Sequence, residues 1–444
     1  MVHIICFKFM NMTLNREAEL LEEVEALKKE NKELKAKIHD DTRNSDILSL
    51  EEYRRYGRQM QVPEFGGLSS QIKLKKSSIL VIGAGGLGSP ALLYLAAAGI
   101  GKIGIVDNDT VDRTNLHRQI IHDTATLNLN KAESAKIKIR LLNPNVEVVT
   151  HPQALTNLNS FQIIELYDII LDCTDTPASR YLINDTCVLL GKTIISGSGL
   201  KTEGQLTILN FHNQGPCYRC FYPTPPPPHT VTSCSNGGVV GPCIGILGTM
   251  MAVEALKCIV GFYTDDNFHP FLTLYSGFAP GQRLRTFKMR SRMPKCKLCN
   301  PDTREITREK IEQGVIDYKG WCGTMNYNVL NPQTQRITAE QLSSVDFSDS
   351  EHLNPLLDVR PRIQYDISHI DGSVNIPYDE LSSLKNELKG FDPHKKTYVI
   401  CRFGNDSQLS TKLLLKRNFN DVQDVIGGLD SWKKNVDPDF PSYW

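Results

Sequence analysis

A glycine-rich turn between a short apolar run and a helix-forming run constrains this chain more than any other feature. Residues 79–82 are all apolar and lead directly into Gly83-Ala-Gly85-Gly86-Leu-Gly88. Glycines at this spacing let the backbone turn sharply, and they bring amide N–H groups to the start of the next helix, where an anion such as phosphate binds. The pattern therefore predicts a strand, a turn and a helix that together form a nucleotide phosphate site.

Strand-like and helical runs alternate along the chain in two separate series. The first series has apolar runs at Ser78–Ile82, 103–106, 169–171 and 193–195, with helical stretches that include 91–98 and Lys131–Leu142. The second has strand-like runs at 356–359, 373–376, Thr397–Ile400 and Val422–Val425, with helical stretches at 379–388 and 407–417. Such alternation is typical of an α/β fold with a parallel sheet and crossover helices. A chain of 444 residues has room for two or three domains.

The first residues form a separate segment with a heptad pattern. Apolar or core-type residues recur at Leu20, Val24, Leu27, Asn31, Leu34 and Ile38. This spacing predicts a short coiled coil, and the polar Asn31 favours two strands. A solvated helix without a partner fits the heptad pattern almost as well, because a coiled coil with so small a number of heptads is only marginally stable. We therefore divide the chain into an N-terminal helix or coiled coil (1–45), a first α/β domain (46–310), a linker (311–336) and a second α/β domain (337–444).

Composition indicates which classes of partner the chain can bind and in which cellular compartment it is expected. Basic and acidic residues number 50 each, so the zero net charge gives no indication of direct nucleic-acid or membrane binding. The apolar opening MVHIICFKFM lacks the basic start and small-residue cleavage site of a signal peptide, and no continuous apolar run reaches the ~18–20 residues of a membrane span. We expect a cytoplasmic protein. Its 12 cysteines are then metal ligands, nucleophiles or buried thiols, not a disulfide framework.

Polar residues after the predicted strands distinguish between hydride transfer and nucleotidyl transfer as the reaction of this nucleotide site. Asp107 ends the next strand, where its carboxylate can accept hydrogen bonds from ribose hydroxyls, and this alone fits an NAD enzyme equally well. The chain adds a polar set that hydride transfer does not need: Arg58, Asp109, Asn115, Arg118, Lys131 and Asp175. Nucleotidyl transfer does need such a set, because cations neutralise the charge on a triphosphate and a carboxylate holds its metal ion.

In this order, these motifs resemble the bacterial molybdopterin-synthase adenylyltransferases and the wider ubiquitin-activating enzyme family, over about residues 49–300. The resemblance implies a Rossmann-like fold of the ThiF/MoeB type that uses ATP and Mg²⁺ and forms a homodimer. It implies that Gly86 and Asp107 bind ATP, that Arg58 reaches across the dimer interface and that Asp175 binds magnesium. The other nucleotide contacts would come from Thr114, Asn115, Leu116, His117, Arg118, Lys131 and Thr176. Many relatives carry Asn in place of Thr176, so we expect altered hydrogen bonding there, not lost activity.

Two cysteine pairs have the spacing of metal knuckles. Cys217 and Cys220 form one C-x-x-C motif, and Cys296 and Cys299 form another far along the chain. Four thiolates can close a tetrahedral Zn²⁺ site, and ligands so distant in sequence make such a site structural. A redox role for an isolated pair remains the alternative, while the family resemblance also implies zinc.

Cys234 lies in a loop of small residues after the proline-rich run at 222–229. Such a loop can move and expose its thiol. The resemblance implies either a thioester cysteine, as in ubiquitin-activating enzymes, or a cysteine that resolves an acyl disulfide. An unreactive loop thiol remains the alternative. We assign no chemistry to Cys173, Cys187, Cys243 and Cys258, which lie in apolar contexts.

Cys401 follows a hydrophobic strand and precedes a small-residue loop and a helix. Successive N–H groups of such a loop can stabilise a thiolate or persulfide anion, and Arg402 adds positive charge. A phosphatase nucleophile or an inert buried cysteine are the alternatives. Asp358-Val-Arg360 and the run at 369–377 precede it in the order found in rhodaneses. This resemblance implies that Cys401 carries a transferable sulfur as a persulfide.

The fusion of both domains, with CRFGNDS as the loop, resembles the eukaryotic adenylyltransferase and sulfurtransferase family of the molybdenum cofactor synthesis protein 3 and ubiquitin-like activator 4 type. The resemblance implies adenylation of ubiquitin-like sulfur carriers that end in Gly-Gly, namely the ubiquitin-related modifier and the molybdopterin synthase small subunit. It implies that a cysteine desulfurase or similar donor supplies sulfur, and that the thiocarboxylate serves tRNA wobble-uridine 2-thiolation and molybdenum cofactor biosynthesis.

Two other hypotheses remain open from the sequence. In the first, a Cys234 thioester passes the carrier to a conjugating enzyme and the second domain is regulatory, so Cys401 is dispensable. In the second, both domains are non-catalytic scaffolds, which the complete polar set and Cys401 argue against.

Overall fold

The chain forms two compact units, Met1–Cys322 and Gly323–Trp444. The computed structural model describes residues 24–31, 47–225, 238–281, 283–318, 328–383 and 388–444. Residues 24–31 are helical, with Val24 and Leu27 exposed. The rest of the heptad segment lies outside the described residues, so the coiled coil stays a prediction, as do the bounds of the four segments.

Unit 1 is built on an eight-stranded sheet in the order β3-β2-β1-β4-β5-β6-β7-β8. The strands are β1 Ser78–Ile82, β2 Lys102–Val106, β3 Glu147–His151, β4 Ile169–Asp172, β5 Thr193–Leu200, β6 Glu203–Leu209, β7 Phe271–Ser276 and β8 Leu284–Lys288. The helices are α1 Leu50–Met60, α2 Gly67–Lys76, α3 Gly88–Ala98, α4 Lys131–Leu142, α5 Ser160–Ile164, α6 Pro177–Leu189, α7 Tyr218–Phe221, α8 Gly241–Val260 and α9 Arg308–Glu312.

The sheet is mixed, and only its first half has the predicted parallel pattern. Strands β1 to β5 pair in parallel, whereas β6, β7 and β8 pair antiparallel to their neighbours. Only Lys201 and Thr202 join β5 to β6, and Lys201 takes a positive φ of 58°. A connection this short permits a hairpin but no crossover helix, so the chain must reverse direction there.

The apolar character of the parallel strands follows from burial on both faces. Along β1, Ile79 and Val81 pack into one hydrophobic cluster, whereas Leu80 and Ile82 pack into another on the opposite face. Side chains alternate between faces of a strand, so a strand covered on both sides is a continuous hydrophobic run. The 79–82 run is therefore a signature of a central parallel strand.

Among the described helices, α8 alone is long and apolar enough to cross a membrane by length and composition. In this unit it packs against α3, β5 and β6 and buries Leu247, Met251 and Ala255. Its apolar character is accounted for by this position in the core.

Unit 2 contains a five-stranded sheet in the order β11-β10-β12-β13-β9, and all its pairs are parallel. The strands are β9 Arg336–Ile337, β10 Leu357–Asp358, β11 Val374–Asn375, β12 Thr397–Ile400 and β13 Val422–Val425. The helices are α10 Ala339–Ser343, α11 Arg362–Ile367, α12 Tyr378–Ser383, α13 Asp406–Lys416 and α14 Gly428–Asn435. The carboxyl end of the central strand β12 leads directly to Cys401, so the sheet places this sulfur at its edge.

Candidate active site

A cavity of about 830 Å³ opens at the carboxyl ends of β1, β2, β4 and β5. Parallel sheets bind ligands at this edge because the loops after neighbouring strands meet there. Six residues predicted to bind nucleotide or metal line it: Gly86, Asp107, Arg118, Lys131, Asp175 and Thr176. The topology therefore gathers residues that are distant in sequence into one site.

The glycine-rich turn is shaped by contacts that exclude side chains. Gly83 has a φ of 98°, and a Cβ there would lie 2.8 Å from the carbonyl oxygen of Cys173. A Cβ on Gly88 would lie 1.9 Å from the carbonyl oxygen of Gly83. The turn is therefore tight enough to bring backbone N–H groups to the cavity edge at the start of α3.

The Asp107 carboxylate is fixed by the loop that it faces. It accepts hydrogen bonds from the backbone N–H of Ala84 at 2.7 Å and of Asp109 at 2.9 Å. Burial raises the pKa of Asp107, while the Lys131 ammonium acts in the opposite direction. This carboxylate therefore serves the loop geometry as well as any ribose that it binds.

Two cations of the predicted set are held in place by polar neighbours. The buried Lys131 begins α4, and its Nζ lies 2.8 Å from Oδ2 of Asp109. Arg118 donates from Nη2 to Oδ1 of Asn115 at 2.6 Å. Both line the cavity, so each presents a positive charge to it.

The other predicted phosphate contacts lie beside the cavity. Arg113–Asn115 forms a short 3₁₀ turn capped by Asp112, whose Oδ1 accepts from the backbone N–H of Thr114 at 2.7 Å. His117 donates from Nδ1 to the Thr114 carbonyl at 3.0 Å. Thr114, Asn115, Leu116 and His117 do not line the cavity. Thr114, Asn115 and His117 contact the Arg118 side chain instead.

Asp175 and Thr176 form the wall next to α6. The Asp175 side chain is exposed in the cavity, whereas Thr176 caps the helix through a 3.3 Å hydrogen bond from the Ser179 N–H. Thr176 also donates to the Ser179 hydroxyl at 2.8 Å. A capping role explains why Thr is compatible with this position.

Arg58 lies in the last turn of α1, is exposed and does not line the cavity. Its predicted contribution across a dimer interface stays a prediction. Cys234 lies outside the described residues, so its roles as thioester or resolving cysteine also stay predictions.

Two residues of the site carry no motif in the sequence and were missed. Arg180 lines the cavity and donates from Nη2 to the carbonyls of Thr174 at 2.7 Å and Gly197 at 3.1 Å. His122 is buried behind the glycine-rich turn, with Nε2 at 2.9 Å from the Ala84 carbonyl. Their spacing from the recognised motifs is the only available signal, and it is weak.

The four predicted zinc ligands converge, and their sulfur atoms lie within 4.8 Å of one another. Sγ of Cys217 lies 3.8 Å from that of Cys220 and 3.7 Å from that of Cys296, and Cys220 lies 3.5 Å from Cys299. Sulfurs around a tetrahedral zinc with bonds of ~2.3 Å are separated by ~3.8 Å. The buried cluster therefore fits one closed Zn²⁺ site.

A buried ion pair connects the first knuckle to α6. Arg219, between the two cysteines, donates from Nε and Nη2 to the two oxygens of Asp185 at 2.7 and 2.6 Å. The Tyr318 hydroxyl donates to the same carboxylate at 2.7 Å. The helix that begins beside Asp175 is thus fastened to the cysteine cluster.

Cys401 lies at the carboxyl end of β12 in the cradle that the sequence predicts. Its sulfur is buried and accepts from the N–H groups of Phe403 and Ser407, which lower its pKa against the larger raising effect of burial. A Cβ on Gly428 would lie 2.2 Å from the Cys401 carbonyl oxygen, so only glycine fits where the chain packs against this loop. The cradle offers N–H groups to a sulfur anion.

Near this loop lie a buried ion pair of the rhodanese-type motif and a cluster of aromatic rings around Arg402. Arg360 pairs with Asp358 at 2.6 Å, and both are buried. Arg402 lies over the rings of Phe403, Tyr443 and Trp444 at 4.4, 5.8 and 5.7 Å. These three aromatic rings therefore stabilise the Arg402 guanidinium.

Comparison with known proteins gives the family. The ThiF family model matches residues 56–298, and the rhodanese-like domain model matches residues 339–435. Adenylyltransferase and sulfurtransferase uba4 of Ogataea parapolymorpha is 60% identical over 400 residues, which cover 89% of this chain and 100% of the relative. The protein of the same name from Saccharomyces cerevisiae is 53% identical over 433 residues, 95% of this chain and 98% of the relative. This chain belongs to the Uba4 family.

Membership of the Uba4 family confirms the predicted fold class and enzyme class. A Uba4-family enzyme is an adenylyltransferase and sulfurtransferase, which accounts for one nucleotide cavity and one cysteine cradle in the same chain. The sulfurtransferase activity does not favour the conjugation alternative. Among solved structures, Escherichia coli MccB is 20% identical with a TM-score of 0.48, covering 60% of this chain and 76% of that chain.

Proposed function

We propose that this enzyme adenylates the C-terminal glycine of ubiquitin-like sulfur carriers and then converts the activated carboxylate into a thiocarboxylate. The carriers are the ubiquitin-related modifier and the molybdopterin synthase small subunit. Their thiocarboxylates supply tRNA wobble-uridine 2-thiolation and molybdenum cofactor biosynthesis in the cytoplasm. The observation that carries the proposal is the combination of a cavity lined by Asp107, Lys131 and Asp175 with a cradled Cys401.

The first step is attack of the carrier carboxylate on the α-phosphorus of ATP, with pyrophosphate as leaving group. Lys131 and Arg118 lie where they offset the negative charge that develops on the phosphates, and the glycine-rich turn presents N–H donors. Arg58 of a partner subunit adds a cation in a homodimer. The exposed Asp175 carboxylate fits Mg²⁺, which when bound neutralises phosphate charge, because carboxylates are its preferred protein ligands.

The second step forms the carbon–sulfur bond. The terminal sulfur of a Cys401 persulfide, received from a cysteine desulfurase or similar donor, attacks the acyl carbon and AMP leaves. The product is an acyl disulfide between the carrier and Cys401. Attack of the Cys234 thiolate on the Cys401 sulfur releases the thiocarboxylate and leaves a Cys234–Cys401 disulfide, which an external thiol must reduce.

Mass spectrometry of the carrier tests the proposal. Carrier ending in Gly-Gly is incubated with ATP, magnesium, a sulfur donor and a thiol reductant, using wild-type enzyme or Cys401→Ala. We expect replacement of one oxygen by sulfur with wild-type enzyme only, and ATP–pyrophosphate exchange with both. Exchange without any sulfur gain in the wild type would overturn the sulfur-transfer step. A stable carrier thioester at Cys234 would instead support conjugation.

A further inference from the structure

A buried chain of polar contacts runs from the Cys401 sulfur to an ion pair at the start of unit 2. Sγ of Cys401 donates to the Ser407 hydroxyl at 3.4 Å, and that hydroxyl donates to Oδ2 of Asp424 at 3.3 Å. Arg336 holds the same carboxylate, with Nε at 2.8 Å from Oδ1 and Nη2 at 3.1 Å from Oδ2. Strands β13 and β9, which carry Asp424 and Arg336, pair in register at these two residues.

The Ser407 hydroxyl has one proton and two neighbours that can accept it. While Cys401 is a neutral thiol, the sulfur donates and the hydroxyl proton is available to Asp424. When Cys401 loses its proton to solvent, or carries a persulfide anion, the sulfur becomes an acceptor. Rotation about the Cβ–Oγ bond of Ser407 then turns the hydroxyl proton toward sulfur.

Asp424 can release the Ser407 proton because its charge is already compensated. Two donors of Arg336 contact it, and the carboxylate is fully buried, so it does not exchange Ser407 for water. Without Arg336, loss of the Ser407 hydrogen bond would leave a buried charge unpaired, which is costly. The ion pair therefore makes a change of hydroxyl orientation feasible at low cost.

We propose that Ser407 is a two-position hydrogen-bond donor that stabilises the sulfur anion of Cys401, and that Asp424, fixed by Arg336, is the positioning residue that holds its proton in the thiol state. This inference rests on the sulfur-carrying role proposed for Cys401. It assigns Ser407 to the reacting sulfur and Asp424 to a role through Ser407. Ser407 favours the sulfur anion of the resting persulfide, whereas Asp424, which competes for the same proton, favours the neutral thiol.

Other charged groups face the loop and must be held constant in a test. Asp406 acts on Cys401 from the first turn of α13 and raises its pKa. The neighbouring elements contribute Asp358 at the end of β10, Arg360 after it, Asp379 on α12, Asp430 on α14 and Arg402 in the loop itself. Substitutions at Ser407 and Asp424 leave all of these groups in place.

The test is the pH dependence of Cys401 alkylation in the full chain. Samples are treated with iodoacetamide at a series of pH values, and the tryptic peptide 397–402 is quantified by mass spectrometry. The variants are Ser407→Ala and Asp424→Asn. Ser410→Ala is the matched control, because Ser410 is a fully buried serine of the same helix whose hydroxyl has no partner.

We expect the two variants to shift the midpoint in opposite directions. Ser407→Ala removes a donor to the anion, so the midpoint rises by about one pH unit. Asp424→Asn replaces a charged acceptor of the Ser407 proton by a weaker, neutral one and removes a negative charge, so the midpoint falls by about half a unit or more. Ser410→Ala should leave it unchanged. Loosening of the fold alone would shift both variants the same way, and that result, or an unshifted Ser407→Ala profile, would overturn the proposal.

Two further measurements distinguish a change in the Cys401 midpoint from misfolding of the variant and from failure of the proposed function. Circular dichroism checks each variant, and if Asp424→Asn does not fold, the double variant Arg336→Gln/Asp424→Asn removes both charges and must still lower the midpoint. Alkylation requires neither ATP nor carrier. Opposite shifts without thiocarboxylate in the wild-type assay would leave this device intact and refute the proposed function. Thiocarboxylate formation by the wild type together with unshifted alkylation profiles would support the proposed function and refute the role inferred for Ser407 and Asp424.

Discussion

At the scale of single residues, the nucleotide loop depends on a buried histidine that has no part in the chemistry. Ala84 donates to the Asp107 carboxylate through its N–H, and its carbonyl lies 2.9 Å from Nε2 of His122. Nδ1 of His122 lies 2.8 Å from the Ser134 hydroxyl. One ring N–H and one accepting nitrogen satisfy both neighbours, so the neutral imidazole fits this position.

The stability of unit 1 should therefore depend on the protonation of His122. Burial lowers the pKa of His122 below the ordinary value of 6.5. Between the folded and unfolded pKa values the unfolded chain binds more protons, so the contribution is complete above pH 6.5 and is lost as the pH falls through the folded pKa. We expect His122→Gln, whose amide can still donate to Ala84, to lose less stability than the wild type between pH 7.5 and 5.5.

Urea denaturation at the two pH values measures this difference, and subtraction of the variant from the wild type removes the other histidines. An equal loss in both proteins would show that His122 is not the titrating group.

The residues that sequence predicted share one property, since each belongs to a motif with fixed spacing. Gly86 and Asp107 were found from the strand, turn and helix pattern and Lys131 from the family resemblance, and all three line one cavity. His122 and Arg180 act through backbone carbonyls, and any buried polar residue can do so without a characteristic neighbour. Such contacts depend on the tertiary fold, which spacing alone does not contain.

At the scale of elements, the cysteine cluster joins two segments that are far apart in the sequence and do not pair as strands. Cys217 is the N-cap residue of α7 and Cys220 lies within it, whereas Cys296 and Cys299 lie after β8. We expect one zinc per chain, and we expect Cys299→Ser to lose the metal and several kcal/mol of stability, because a structural site contributes folding energy directly. Elemental analysis and urea denaturation measure both effects. Cys258→Ser is the control, since its half-buried thiol lies outside the cluster, and equal zinc loss there would contradict the assignment.

The ion pair between Arg219 and Asp185 should be a second fastening of the same region. Asp185 is completely buried, so Asp185→Ala takes the carboxylate that accepts two hydrogen bonds away from a buried guanidinium and should cost about 3–5 kcal/mol. The exposed pair of Glu305 with Lys297 is the matched control, and Glu305→Ala should cost less than about 1 kcal/mol. Urea denaturation measures both. Similar values for the two variants would mean that burial does not set the energy of the pair.

Element boundaries were predictable wherever apolar runs were bounded by turn residues. Thr397–Ile400, Val422–Val425 and Lys131–Leu142 agree residue for residue with the prediction. The antiparallel strands β6 to β8 were not predicted. For β8 the reason is that it is exposed throughout and has no apolar periodicity. A strand without a buried face is specified by its neighbour β7 and not by its own sequence.

At the scale of the whole molecule, each unit has its own core. In unit 2, Leu414 is fully buried in a cluster with Val399 and Cys401, while Leu247 lies in a separate cluster of unit 1. Separate cores allow separate unfolding, since a domain is stabilised mainly by the apolar surface that it buries itself. The linker region belongs in part to unit 1, because Ile311 and Tyr318 pack into one of its clusters.

Leu414→Ala should therefore weaken sulfur transfer without affecting adenylation. Truncation of this side chain leaves a cavity next to the Cys401 loop and should cost about 2–5 kcal/mol in unit 2 alone. We expect two thermal transitions, of which only one moves to lower temperature, and unchanged ATP–pyrophosphate exchange at 25 °C. Leu247→Ala is the reciprocal control and should lower the other transition. If both transitions move together in each variant, the two units unfold as one, and the independence inferred from their cores is wrong.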